Sequence, residues 1–332
     1  MREIAITEQT AGQRLDKYLQ KYFNAAPKSF LYKMLRKKRI KLNGGRAQGG
    51  EILCPGDRLE LYLSEETMAQ FSEVKQVAVS PRHFGILYED EEILVMNKPA
   101  GLLSQPDRPQ DGGNTLVGQM LSYLVEKGDY CPQKDSTFTP AICNRLDRNT
   151  GGIVFAGKTL RAVQALNLAM AQRQVDKFYL TMVKGILEGD RAFFGYHLKN
   201  ERENTVKVLK APAPGAKRIR TKVHPLAYGK GCTLLEVELL TGKSHQIRAH
   251  LKAMGFAVAG DRKYGDPKWN RSLQAEFGLN NQFLFAYRAV LHFPEGPFQY
   301  LDQKQWTAPL PKGLEEIRKA YFGDRMRKEK NE

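Results

Sequence analysis

The run Cys143-Asn144-Arg145-Leu146-Asp147-Arg148-Asn149-Thr150-Gly151-Gly152 limits what this chain can fold into more than any other stretch. One carboxylate, Asp147, lies between two arginines, and Leu146 is the only large apolar side chain beside it. Two glycines close the run. Ile153-Val154-Phe155-Ala156 then reads as a buried strand. A carboxylate on a Gly-rich turn at the mouth of such a strand can sit on the floor of a cleft. The flanking arginines favour its ionised form, because an opposite charge within a few ångströms stabilises the anion. The same residues also read as a surface turn feeding a core strand, since Arg–Asp pairs are common and often inert.

Charge narrows the choice of partner. Over 332 residues, 52 Lys and Arg stand against 36 Asp and Glu, a formal net charge of +16. Such an excess points to a polyanion, nucleic acid ahead of an anionic membrane. The length admits two domains with a sizeable core. An apolar content of 42% with 27% charged residues is that of a globular chain. No window approaches a transmembrane helix, and Met1-Arg2-Glu3-Ile4 lacks an apolar signal core, so a cytoplasmic protein is expected. Cys54, Cys131, Cys143 and Cys232 are scattered without a Cys-x-x-Cys pair, which predicts reduced thiols and no metal site.

Residues 1–64 form a small basic unit with 13 Lys and Arg against 6 Asp and Glu. Leu15, Tyr18, Leu19 and Tyr22 repeat at helical spacing. Phe30, Leu31, Met34 and Leu35 predict a second helix after Ala26-Pro27-Lys28, with Ser29 as its N-cap. Lys33, Arg36, Lys37, Lys38, Arg39 and Lys41 crowd the end of that helix beside the turn Asn43-Gly44-Gly45. Cations clustered at one helix end favour a phosphate-contacting patch over a merely solvated face. Residues 65–80, with Glu65, Glu66 and Glu73, read as a linker. A second domain follows over 81–312, and 313–332 read as a charged helix fraying into a tail.

Within the second domain, strands are expected at the apolar run before Asn97, over Lys177–Gly185, over Cys232–Leu240 and within Phe283–Phe293. Helices are expected from Thr115, from Lys158 and from Ser244, the last with Ser244 as N-cap. Residues 200–222 are polar and read as a solvent-facing hairpin or loop, with RNA contact by Lys217, Arg218, Arg220 and Lys222 left open. Gly152–Thr159 fits the phosphate-loop pattern G-x-x-x-x-G-K-[ST]. Its four middle residues are apolar, the wrong chemistry for a phosphate-wrapping loop, so a nucleotide site is set aside. His245 and His250, five apart, point to different sides of either a helix or a strand and make no metal pair.

Several of these segments carry a resemblance. Arg145, Leu146, Asp147, Thr150 and Gly152 match the active-site motif of the RluA family of RNA pseudouridine synthases, His-Arg-Leu-Asp-x-x-Thr-Ser-Gly, with Asn144 and Gly151 as departures. Asn97-Lys98-Pro99-Ala100-Gly101 and Gly242–Leu251 match two further motifs, the latter continued by Ala259–Gly265. The first unit resembles the S-four-like RNA-binding module through Arg14-Leu15-Asp16, Ser29, Arg39-Ile40, Asn43-Gly44 and Pro55-Gly56-Asp57.

The resemblance implies an α+β fold, a mixed and mainly antiparallel sheet flanked by helices, preceded by a small α/β RNA-binding module. It implies isomerisation of uridine to pseudouridine in RNA without a cofactor, with large-subunit ribosomal RNA ahead of transfer RNA. Asp147 would be the catalytic carboxylate, paired with Arg248. Tyr179 would stack on the base, and Arg145 would occupy the space the base vacates. A monomer without a protein partner is expected. The alternative is a catalytically silent RNA-binding or ribosome-assembly factor of the same fold, a door that Asn144 and Gly151 leave open.

Overall fold

Runs of period two and period 3.6 alternate along the chain, and each settles into the element it fits. The computed structural model describes residues 1–73, 77–133 and 137–323. The N-terminal unit holds β1 (Arg2–Ala5), α1 (Leu15–Tyr22), α2 (Lys28–Arg36), β2 (Ile40–Leu42), β3 (Gly45–Arg46), β4 (Arg58–Leu61) and α3 (Glu65–Phe71). Its antiparallel sheet has the order β1-β4-β2-β3. Leu15, Leu19, Leu31, Leu35 and Ile40 join one buried core.

Two expectations change here. Ser29 lies inside the first turn of α2; the boundary residue is Pro27, at φ −61° and ψ 143°, and no side chain caps the helix. The fixed φ of proline sets the entry without a hydroxyl. The stretch 65–80, expected as a linker, contains α3. Ser64 accepts from the Thr67 amide at 3.2 Å, and Met68 is buried in the unit's core. Glu65 and Glu66 occupy the first turn, where the helix dipole favours acids. Their charge belongs to a helix N-terminus and not to a connector.

The second unit runs through β5 (Gly85–Glu89), β6 (Ile93–Lys98), α4 (Leu116–Lys127), β7 (Ala141–Ile142), β8 (Gly151–Gly157), α5 (Leu160–Gln172), β9 (Val175–Lys184) and β10 (Arg191–Asn200). It continues with β11 (Thr205–Leu209), β12 (Lys217–Gly229), β13 (Cys232–Leu239), α6 (Gln246–Ala253), α7 (Pro267–Phe277), β14 (Leu284–Leu291), β15 (Gln305–Thr307) and α8 (Lys312–Phe322). One sheet has the order β11-β10-β12-β13-β9-β14-β8-β6-β5, with β15 beside β14 and β7 beside β8. Among the described residues only the β14–β8 strand pairing of this sheet is parallel, apart from an isolated parallel bridge between Leu103 and Thr115. The fold is thus a mixed, mainly antiparallel sheet flanked by helices.

Strand β8 is buried from end to end and feeds a core on each face. Val154 and Ala156 pack with Met96, Leu124 and Leu235; Ile153 and Phe155 pack with Ala162, Leu166 and Trp306. Both faces being apolar, the strand reads as a continuous apolar run. Gly152–Thr159 is accordingly strand and helix start. Thr159 caps α5 by accepting from the Ala162 amide at 3.2 Å, and the Lys158 amine is engaged by Glu89, Asp129 and the Asp90 carbonyl. Residues 200–222 contain β11 and the start of β12, both paired with β10. Ile219, Thr221 and Val223 are buried there, and the cations between them stand on the other face. Residues 324–332, expected as a tail, lie outside the described residues. No described helix is long and apolar enough to cross a membrane.

The parallel contact between β8 and β14 depends on Gly152, at φ +116°, where an added Cβ would overlap the Ala286 carbonyl. Gly152→Ala is expected to lower the unfolding free energy by about 3 kcal/mol, from clash and backbone strain together. Gly50→Ala, where an added Cβ meets nothing, should stay within about 0.5 kcal/mol of wild type. Urea denaturation of the two variants reads the difference.

Candidate active site

The turn that carries Asp147 is pinned from several sides. The Asn144 side chain accepts from the Phe155 amide at 2.8 Å and donates to the Ile153 carbonyl at 3.3 Å, so its amide group serves the edge of β8. Ser104 Oγ accepts from the Leu146 amide at 3.1 Å and donates to the Leu146 carbonyl at 2.8 Å. The Thr150 amide donates to the Asp147 carbonyl at 3.0 Å, and Gln282 donates to the Thr150 hydroxyl at 3.1 Å. Lys98 is 0% exposed, and its amine donates to the carbonyls of Pro99, Leu102 and Arg148 at 3.0, 2.6 and 3.1 Å. Those three acceptors match the three N–H groups of an ammonium. Burial pushes the amine down to about 7 against the pull of the Asp147 charge. Lys98 therefore joins the Pro/Gly turn after β6 to the Asp147 turn.

Over this scaffold, Arg248 Nη1 donates to Asp147 Oδ2 at 2.9 Å. The same guanidinium donates through Nε and Nη2 to both oxygens of Asp261, at 2.6 and 2.9 Å. Asp261 also accepts from the amides of Lys263 and Tyr264, at 2.9 and 3.0 Å. One buried cation is thus shared by two carboxylates, and the three groups carry a net single negative charge. Burial pulls the Arg248 guanidinium down, but Asp261 and then Asp147 more than offset it and hold it raised. Burial pushes the Asp261 carboxyl up, yet the bonds from Arg248 and the two amides leave it below the usual range. The side chain of Asp261 is 0% exposed and that of Asp147 is 25% exposed, so Asp147 is the carboxylate that faces the cleft.

Helix α6 delivers Arg248, but it does not begin where sequence places it. Ser244 is not its cap; His245 is the boundary residue, in the left-handed region. The preceding turn is drawn out by tertiary bonds. His197 donates to the Ser244 carbonyl at 2.9 Å, and Gln246 donates to the Arg220 carbonyl at 3.0 Å.

Tyr179 on β9 is 6% exposed and lines the same cleft as Asp147 and Arg248. Burial, then the Asp147 charge, push its phenol above the ordinary value. Arg145 is exposed on the cleft's lining. The cleft encloses about 2170 Å³ and is lined by thirteen lysines and arginines against five acids. Small-molecule pockets usually hold roughly 300–1,000 Å³, so this one suits a polymer, and its charge suits a polyanion. Lys217, Arg218, Arg220 and Lys222 on β12 belong to that lining.

The six cations of the N-terminal unit stand elsewhere. Lys33, Arg36, Lys37, Lys38 and Arg39 are exposed at the end of α2 and just beyond it. Lys41 is half-buried, with its amine 4.9 Å from the centre of the Tyr62 ring. The two histidines part company: His245 bonds Tyr264, and His250 is buried against Thr221. Among the described residues no group of three or more His, Cys, Asp or Glu could hold a metal ion. Sequence reasoning missed Asp261 and Lys98. Both lie in stretches whose motifs were visible, but nothing local marks either as a buried charge.

The chain resembles known proteins over most of its length. Residues 92–253 match the RNA pseudouridylate synthase family model, and residues 13–59 match the S4 domain. Ribosomal large subunit pseudouridine synthase C of Haemophilus ducreyi is 30% identical over 317 residues, covering 94% of this chain and 93% of its own. The Escherichia coli K12 protein of the same name is 32% identical, covering 87% and 88%. The fold resembles human RNA pseudouridylate synthase domain containing 4, with a TM-score of 0.54 at 20% identity over 70% of this chain and 93% of that one.

The shared guanidinium sets a pH dependence. Asp261 has a folded value below its usual 3.8. It therefore contributes stability that is present above that value and lost as the pH falls through the folded one. Asp261→Asn should reduce stability at pH 7 by about 3 kcal/mol, because it breaks a buried pair. It should also flatten the decline in acid. Urea midpoints taken from pH 7 to pH 3 give both quantities, and an acid limb of unchanged slope would refute the role given to Asp261.

Proposed function

The chain belongs to the RNA pseudouridylate synthase family and is a pseudouridine synthase, and from that premise we propose that it acts on uridines of large-subunit ribosomal RNA with Asp147 as the reacting carboxylate. The observation that carries this reading is the 2.9 Å pairing of Asp147 with Arg248 on the wall of a large cationic cleft. The large-subunit assignment rests on the names of the relatives and on the S4-like unit.

The reaction breaks the N1–C1′ bond of a uridine, turns the base, forms a C5–C1′ bond, releases the C5 hydrogen to water as a proton and returns a proton from water to N1. Atoms and charge balance without a redox carrier or phosphate energy. An ionised carboxylate beside the sugar and base supplies the negative charge such a path needs, as nucleophile or as stabiliser and proton acceptor. Arg248 fixes the orientation of Asp147 through a charge-assisted bond. Because Arg248 is already paired with Asp261, Asp147 is oriented without being fully neutralised. Tyr179 supports the extracted uracil from β9, and Arg145 fills the gap left in the RNA. Extracting a base costs a few kcal/mol and least in loops, so a structured loop is the favoured target. The cationic lining and the patch at the end of α2 offset that cost by binding phosphates.

Asp147→Ala separates the enzyme from a silent binder. Large-subunit ribosomal RNA transcribed with tritium at uridine C5 should release no tritium with this variant, while RNA binding stays within about threefold of wild type. Turnover by Asp147→Ala would sink the assignment.

The patch on the N-terminal unit gives a second test. Replacing Lys37, Lys38 and Arg39 together with Gln should weaken RNA binding. The slope of log affinity against log salt should fall by about 0.7–0.9 for each phosphate that is no longer neutralised. Filter binding across a salt series measures both, and an unchanged slope would remove these residues from the RNA interface.

A further inference from the structure

We propose that His245 is a further substrate-contacting residue, presenting an Nε2–H donor to a carbonyl oxygen of the uracil held beside Asp147. The inference rests on Asp147 being the reacting carboxylate.

His245 separates Ser244 from α6 and adopts φ 54° and ψ 15°. A side chain larger than glycine occupies that region at a cost of about 1–2 kcal/mol. The neighbours enforce it. His197 holds the Ser244 carbonyl, the Ala249 amide donates to the His245 carbonyl at 2.9 Å, and Gln246 Oε1 accepts from the Lys243 amide at 3.2 Å and the Thr241 hydroxyl at 2.9 Å. Backbone strain fixed in this way clusters where proteins grip ligands.

The ring's proton can be located from its partners. Nδ1 lies 3.0 Å from the Tyr264 hydroxyl, and the Val206 amide donates to that same hydroxyl at 2.7 Å. An amide N–H can only donate, so the phenol oxygen accepts from Val206 and still has its own hydrogen to place. Nδ1 is the acceptor that the structure offers. The phenol therefore donates to Nδ1, and the imidazole proton sits on Nε2. His245 lines the cleft together with Asp147, Tyr179 and Arg248.

The surroundings also settle the charge. Burial holds the imidazole below its ordinary value; Arg248 and Lys263 act in the same direction, and Asp147 and Asp261 oppose them. The neutral ring is the form these surroundings favour. A neutral N–H complements a neutral carbonyl, whereas phosphates are met by the lysines and arginines of the lining.

The relay Val206–Tyr264–His245 thus leaves one fixed N–H donor on a residue that lines the cleft with Asp147. It takes no part in the bond exchange and moves no proton. It selects a base that offers an acceptor at that point and holds it there while the glycosidic bond is exchanged.

The test uses the full-length enzyme with tritiated large-subunit ribosomal RNA. Ala and Gln are equally unsuited to a left-handed residue, so any difference between them reports the donor and not the backbone. His245→Ala should lower kcat/KM by about ten- to a hundredfold, with RNA binding within about threefold. His245→Gln, whose amide N–H reaches as far as Nε2–H, should recover most of that loss. Nitrogen NMR of histidine-labelled protein should place Nδ1 of His245 in the range of an unprotonated acceptor, and Tyr264→Phe should shift it. Ala within twofold of wild type, Gln no better than Ala, or a protonated Nδ1 in wild type would each overturn the proposal. Tritium release by Asp147→Ala equal to wild type would instead overturn the reading beneath it, and the proposal with it.

Discussion

A guanidinium with almost no access to water is tolerated only if its charge is met, and Arg248 is met twice. At an effective dielectric near 20, a pair of unit charges about 4 Å apart attract by roughly 4 kcal/mol, while removing an ion from water costs several kcal/mol. A single carboxylate would do little more than offset that cost. Asp261, bidentate to Arg248 and bonded to two backbone amides, makes the burial stable before Asp147 is considered. Asp147 can then remain partly exposed and incompletely neutralised, as the role proposed for it requires.

That arrangement constrains the rest of the second unit. The three charged groups come from separate places: the turn before β8, the first turns of α6 and the loop between α6 and α7. Their carboxylate and guanidinium groups meet only if the sheet fixes β8 against its neighbours. Gly152 permits the parallel approach of β14, and Lys98 joins the turn after β6 to the Asp147 turn through three carbonyls. Neither residue has to touch a substrate to matter. Both set where the acid stands, and an error of about one ångström there is large on the scale of a hydrogen bond.

Elements with a pure period were legible in the sequence. β8 and β13 follow their apolar residues, as do α1, α4 and α5, because burial on a defined face is what periodicity encodes. Some elements whose exposed face carries charge were not. α3 was hidden because its first-turn acids looked like linker polarity, and β11 with the start of β12 because cations alternate with buried Ile219, Thr221 and Val223. α7 begins with Asp266 accepting from the Trp269 amide and Pro267 in the first turn, a start signal present in the sequence yet unread. The site was legible only through resemblance. Asp147 and Arg248 are 101 positions apart, and no local pattern pairs residues at that distance. Asp261 lies within Ala259–Gly265, which the resemblance covers, but no role attached to it there, since an aspartate between Gly260 and Arg262 reads as a solvated turn until its burial is known.

The charges then form a gradient that sorts the parts of an RNA strand. The lining is strongly cationic, so a phosphate gains by approaching it. The group Asp147–Arg248–Asp261 is net negative, so the same phosphate loses by descending to it. A uracil carries no charge and is indifferent to that repulsion, and Tyr179 offers it an aromatic surface beside the acid. In the function proposed above, the strand's backbone would be held at the rim while only a base with its sugar reached the carboxylate. Neutralising Asp261 would tip the group towards neutral and let phosphate compete for Arg248. The second carboxylate therefore guards the site electrostatically as well as orienting the arginine.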